Sequence, residues 1–201
     1  NKFVPILVFA RNQMLRLVYL DKLKYKMENF EFLKNYRNPS VKKLHYNVTA
    51  EDKDAELFKA LVYMFPNLSN ISYKAEENED TGNGVCFERD TVLDHVTSLT
   101  VINAHVRSLV NVFAEKLEYF EFSPGRTGEF IDDCIGCFLH RHRSIKNLVL
   151  GSKNGHSSYF FISYNLCQLI VNFLYQLESI SIYNFAEVNK SVKLLCTLRN
   201  L

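Results

Sequence analysis

Leu117-Glu118-Tyr119-Phe120-Glu121-Phe122 places apolar residues first, fourth and sixth, and the last three alternate polar with apolar. A period of two is that of a short strand with one buried face. The same spacing occurs before it at Leu20-Leu23-Tyr25, Val41-Leu44-Tyr46, Leu68-Ile71-Tyr73 and Val96-Leu99-Val101. It occurs after it at Ile145-Leu148-Leu150 and Leu177-Ile180-Ile182, and an eighth copy begins at Leu198 and Leu201. Successive starts lie 21, 27, 28, 21, 28, 32 and 21 residues apart. One such triplet is a weak signal, but seven at these intervals make a repeat.

Between the triplets the apolar period changes to three and four. Leu57, Phe58, Leu61, Val62 and Phe65 form one stripe, and Val106, Leu109, Val110 and Phe113 another. Ile131, Cys134, Ile135, Phe138 and Leu139 form a third, and Leu166, Leu169, Ile170, Phe173 and Leu174 a fourth. Met27, Phe30, Leu33 and Tyr36 supply the first in the chain, and Val188, Val192 and Leu195 the last. These read as amphipathic helices. Pro66 ends one of them just before the strand that starts from Leu68.

Strand then helix, repeated, gives a parallel sheet with helices outside it, and units that cannot bury their apolar faces alone stack on their neighbours. The expected fold is α/β: a leucine-rich-repeat solenoid, or horseshoe, with a parallel concave sheet and outer helices. Residues 1–201 form a single irregular domain of about seven repeats, read as a piece of a longer chain. A compact doubly wound α/β fold is the alternative, and it would usually show a Gly-rich phosphate turn after a strand. Three inserts follow strands: the acidic stretch 74–90, the turn Ser123–Gly128 and the loop Gly151–Ser158. They read as rim loops, for binding or as tolerated surface insertion.

Composition is that of an ordinary globular chain, and a net charge of +2 gives no global attraction to nucleic acid or membrane. No apolar run reaches the roughly 18 residues that would span a bilayer. Five cysteines, an odd number without a paired framework, favour reduced thiols and a cytoplasmic or nuclear location. Four glycosylation sequons, at Asn47, Asn67, Asn70 and Asn189, keep a secreted location as the alternative.

Cys134-x-x-Cys137-x-x-His140-x-His142 has zinc-ligand residue types. On a helix, however, His142 points away from the other three, and buried thiols with exposed histidines are the expectation. Asp132 and Asp133 suit the positive end of a helix rather than a catalytic pair. No nucleophile elbow, phosphate loop or His-Glu-x-x-His segment occurs, so no catalytic residue, metal or other cofactor is expected.

The residues between the buried triplet members should face the concave side. In the first two copies these are Lys22, Lys24 and Lys26, then Lys43, His45 and Asn47. Later copies offer hydroxyls and tyrosines. The expected partner-binding residues are Lys22, Lys24, Lys43, His45, Tyr119 and Tyr183. Lysines would attract an acidic or phosphorylated protein, and tyrosines would supply anchoring area. A solvated lysine edge that keeps the chain soluble is the plainer reading.

From Leu20 to Leu201 these repeats resemble the leucine-rich-repeat region of an F-box protein, and their Phe- and Tyr-rich character resembles the insect type. The resemblance implies a concave face that captures a protein substrate, and an F-box upstream that docks a ubiquitin-ligase adaptor. The chain departs from the family's buried asparagine ladder: the ninth position holds Thr49, Glu76, Ala104, Gly125, Lys153 and Phe185. The expected function is thus the substrate-recognition part of an intracellular ubiquitin ligase. An extracellular or immune recognition domain and an enzyme on a compact α/β fold are the rivals.

Overall fold

Alternation of apolar and polar residues yields strands that pair in the order in which they are made. The computed structural model describes residues 12–21, 33, 35–48, 55–75, 87, 90–125, 131–151, 162–183 and 188–201. Its strands are β1 (Leu17–Asp21), β2 (Lys43–Val48), β3 (Asn70–Ala75), β4 (Thr91–Val92), β5 (Ser98–Ala104), β6 (Val112–Phe113), β7 (Tyr119–Pro124), β8 (Asn147–Leu150) and β9 (Ser179–Ile182). Its helices are α1 (Ala55–Met64), α2 (Ile131–Arg141), α3 (Tyr164–Phe173) and α4 (Val188–Leu195). Seven strands form one parallel sheet in the order β1-β2-β3-β5-β7-β8-β9, and β4 and β6 form a small parallel pair apart from it. The order never reverses, so the sheet lacks the switch point that defines a doubly wound fold.

Register places the triplet residues in two continuous rows. Val18, Leu44, Ile71, Leu99, Phe120, Leu148 and Ile180 are successive partners across the sheet. Leu20, Tyr46, Tyr73, Val101, Phe122, Leu150 and Ile182 form the second row in the same way. All are buried except Ile180 and Ile182, which are half-buried. Those two belong to β9, which has no further strand beside it among the described residues, and there an apolar groove lined by Val192, Leu195 and Leu201 remains open.

The first copy sits in a different frame from the one read in the sequence. Leu20-Leu23-Tyr25 is expected to supply its buried residues, but Val18 and Leu20 pair with Leu44 and Tyr46, with Leu15 half-buried against the core. Leu15-Val18-Leu20 has the same apolar spacing, so the pattern alone admits both frames. Pairing with β2 decides between them, because a slip changes which side chains reach the core.

A backbone device recurs at each strand start. The carbonyls of Arg16, Lys42, Ser69, Thr97, Glu118 and Lys146 each accept two successive N–H groups of the next strand, as in Lys42 and Lys43 onto Arg16 at 2.9 and 3.1 Å. A tight turn precedes each strand, closed by bonds such as Leu68 N–H to the Phe65 carbonyl and Leu177 N–H to the Leu174 carbonyl, at 3.2 and 3.1 Å. Pro66-Asn67, Glu115-Lys116 and Tyr175-Gln176 form three of these turns, the first where Pro66 was expected to end a helix.

Stripe residues Leu57, Phe58 and Leu61 of α1, Ile135, Phe138 and Leu139 of α2, and Leu166 and Ile170 of α3 are buried. Phe58 lies edge-on to Tyr73 and Phe87, at 6.0 and 5.2 Å between ring centroids, and Phe138 lies 4.3 Å from Phe120. Each fully buried aromatic contributes roughly 1.5–3 kcal/mol relative to exposure. Two expected helices differ. Val106–Asn111 is a 3-10 turn that runs into β6, because this copy is one of the shortest and a 3-10 turn rises about 2.0 Å per residue against 1.5 Å in an α-helix. In α4, Leu195 is buried but Val188 and Val192 are 54 % and 42 % exposed. Of the first stripe, Leu33 is buried and Tyr36 half-buried, while Met27 and Phe30 lie outside the described residues. So do most residues of the inserts 74–90 and 151–158. Ser123 and Pro124, expected in a rim loop, instead end β7 and are buried, because the strand continues its pairing with β5 there. No helix among the described residues is long and apolar enough to cross a membrane.

Candidate functional site

Strands that send every second side chain into the core turn the others outward. The outward residues of β1 are Leu17, Tyr19 and Asp21, and the next strands add Lys43, His45 and Asn47, then Asn70, Ser72 and Lys74. Ser98 and Thr100 follow, then Tyr119 and Glu121, Asn147 and Val149, and Ser179 and Ser181. All are exposed or half-buried. This open face of the sheet is the candidate site.

The shifted frame of β1 alters its first patch. Lys43 and His45 lie beside Leu17 and Tyr19, not beside Lys22 and Lys24, which lie outside the described residues together with Lys26. The row expected to be basic therefore begins with two exposed apolar or aromatic side chains, 47 % and 58 % exposed. Tyr19 and His45 have ring centroids 6.0 Å apart. The Asn47 amide donates to the Tyr19 hydroxyl at 2.9 Å and to the Asp21 carboxylate at 3.2 Å. Leu17, Tyr19 and Asp21 are the residues that the sequence reading missed, and the signal for them was the second possible frame.

A second patch forms on β5, β7 and the end of β9. Glu121 Oε2 accepts from the Tyr119 hydroxyl at 3.0 Å and from Thr100 Oγ1 at 3.3 Å. Partial burial, that hydrogen bond and the Glu121 charge push the Tyr119 phenol up to about 12, and Tyr183 adds to the rise. Tyr183 follows β9, tied by its N–H to the Leu150 carbonyl at 2.9 Å. Beneath it is Gly151, at φ 90°, where an added Cβ would lie 2.9 Å from the Tyr183 carbonyl oxygen. Glycine alone allows both that φ and that approach. Of the expected binding residues, Tyr119 and Tyr183 thus share one patch and Lys43 and His45 share the other.

An asparagine also ties two strands together at the edge of the face. Asn103, at φ 58°, sits in the irregular step between Ile102 and Ala104 and donates from its amide to the Ala75 carbonyl at 3.1 Å. Asparagine is among the few side chains that tolerate this left-handed conformation.

Helix α2 corrects the reading of the Cys-Cys-His-His cluster. His142, expected to be exposed, is buried. Its Nε2 accepts the Ala114 N–H at 3.0 Å, and its Nδ1–H donates to the Phe138 carbonyl at 2.7 Å. Burial holds its pKa below 6.5, partly opposed by the Phe138 bond and reinforced by Arg141. Both ring nitrogens are thereby committed to backbone, and the residue is a bolt between two copies. His140 lies edge-on to Phe173 at 5.0 Å. Cys137, expected to be buried, is exposed, and Cys134 is half-buried, its thiol pushed up chiefly by burial and then by Cys137. Among the described residues no three His, Cys, Asp or Glu side chains are gathered as a metal site.

No protein-family model matches this chain, and no curated protein matches it. The class defined by its own geometry is an α/β protein with a sequentially ordered seven-stranded parallel sheet, one face of which is open.

Proposed function

We propose that this chain is a protein-binding scaffold, an irregular leucine-rich-repeat solenoid, whose open sheet face receives a protein partner. The observation that carries this reading is the repetition itself. Two apolar rows run in register through seven strands, buried in all but the last, and a shared double hydrogen bond links each copy to the next. Such a chain leaves a broad polar and aromatic surface on the side away from the helices, which suits a binding rather than a catalytic role.

The narrower role, substrate recognition for an F-box-type ubiquitin ligase inside the cell, draws on the resemblance of the repeats. The sequon asparagines favour it over the extracellular alternative. Asn47 bonds to Tyr19 and Asp21, Asn67 donates to the Pro39 carbonyl at 3.0 Å, and Asn70 accepts from Ser69 at 2.9 Å. Two of the four, Asn47 and Asn67, thus join copies, where a glycan would disrupt packing, while the Asn70 bond is to its chain neighbour.

Photo-crosslinking tests the proposal. A benzophenone amino acid placed at Tyr19 or Tyr119 should crosslink the partner, while the same group at Lys59 of α1 or Gln168 of α3 should not. Crosslinks confined to the helix positions would remove the open face from consideration. A glycan mass on protein from its native source would defeat the intracellular role.

A further inference from the structure

The carboxylates of β7 and of the turn before it are treated differently by their neighbours. Glu118 is met across the strand gap by Lys146, with 3.0 Å between Nζ and Oε1. Glu121, one turn of the pattern further on, is met by Thr100 on one side and Val149 on the other. Its hydrogen bonds come from two neutral hydroxyls, and both fall on Oε2. Among the described residues it has no cationic partner and Oε1 has no donor. The lysines of the open face, Lys43 and Lys74, stand on β2 and β3.

A half-buried carboxylate held in place but not neutralised is a receptor for a cation, since charge-assisted bonds are about twice as strong as neutral ones. Its surroundings suit a long cationic side chain. Tyr119 lies two residues before it and is bonded to it, and Tyr183 stands at the end of β9, packed at its Cβ and carbonyl against Gly151. Tyrosine faces attract guanidinium and ammonium groups lying over them.

We propose that Glu121, held by the hydroxyls of Tyr119 and Thr100, is the anchor for one arginine or lysine side chain of a protein partner. This rests on the open-face reading above and names the partner's chemistry at that face, opposite in sign to the acidic partner that Lys43 would favour. Because the Tyr119 phenol remains protonated at any physiological pH, it stays a donor to Glu121 and adds no negative charge of its own.

The test uses immobilised peptides of equal length and randomised flanks, in three sets whose central residue is arginine, glutamate or phosphoserine. The full chain and its Glu121→Gln variant are applied to each, with thermal melting of both as a folding control. The arginine set should bind best, and Glu121→Gln should weaken it by about tenfold, as loss of one charge-assisted contact implies. Preference for glutamate or phosphoserine, or an arginine set bound equally by Glu121→Gln, overturns the cationic anchor and leaves the open-face reading standing. Binding of no set above the background of bare support overturns both.

Discussion

The two patches of the open face lie on one sheet, three strand spacings apart, or about 14 Å, yet they are built differently. The patch on β1 and β2 is made by side chains that lean on each other at the solvent surface: Tyr19 on His45, Asn47 on Tyr19 and Asp21. Both patches rest on buried floors, Leu44 and Tyr46 under the first, but the patch on β5, β7 and β9 adds a fixed carboxylate and a constrained backbone. Phe120 and Phe122 are fully buried under it, Phe138 backs Phe120, and the backbone at Gly151 adopts a conformation other residues resist. A fixed carboxylate can select a ligand by charge and geometry, whereas an exposed tyrosine-histidine pair offers adaptable contact area.

The largest effects should come from removing the floors. Phe120→Ala beneath the second patch should cost about 3–5 kcal/mol and Leu44→Ala beneath the first about 2–5 kcal/mol in urea denaturation. Hydrogen exchange sharpens the contrast: Phe120→Ala should speed exchange in β5, β7 and β8 more than in β1 and β2. Uniform acceleration would show that the two patches do not rest on separable supports.

Gly151→Ala should cost about 1–3 kcal/mol through backbone strain and displace Tyr183, with no counterpart in the first patch. Retained stability together with an unmoved Tyr183 resonance would contradict the tight approach at this position.

Acid should loosen the region of His142 first. Its folded-state pKa is lowered, so the unfolded chain takes up the proton at a higher pH than the folded one. Stability is therefore full above pH 6.5, the ordinary histidine value, and declines as pH falls below it. The thermal midpoint should drop between about pH 7 and pH 5, and His142→Gln should flatten that dependence. An equal slope in the variant would assign the effect to other groups.

The smallest effects separate the patches most cleanly. Glu121→Gln should lower the Tyr119 phenol pKa from about 12 by removing the Glu121 charge, with the rise due to burial remaining, read by ultraviolet absorbance. Tyr19→Ser, on an exposed side chain, should change stability by less than about 0.5 kcal/mol. A larger loss at Tyr19 would mean that the first patch is as firmly built as the second.

The sequence by itself determined the strands from β2 to β9 of the main sheet, because a two-residue alternation beneath an apolar layer leaves no other register that buries Leu44, Ile71, Leu99, Phe120, Leu148 and Ile180 together. It also determined α1, α2 and α3, whose stripes are wide enough to choose a face. Tyr119 and Tyr183 were legible as outward residues, and the close approach of Tyr183 to Gly151 was not, since it depends on a side chain that is absent. Only the tertiary structure decided the frame of β1, where Leu15-Val18-Leu20 and Leu20-Leu23-Tyr25 satisfy the same pattern and pairing with Leu44 and Tyr46 selects one. It alone placed His142 inside, because a lone histidine after a helix carries no mark of the Ala114 N–H that waits for it one copy back. Periodicity is a property of the chain and can be read along it. Which neighbour completes a hydrogen bond or a charge pair is settled only when the copies lie side by side.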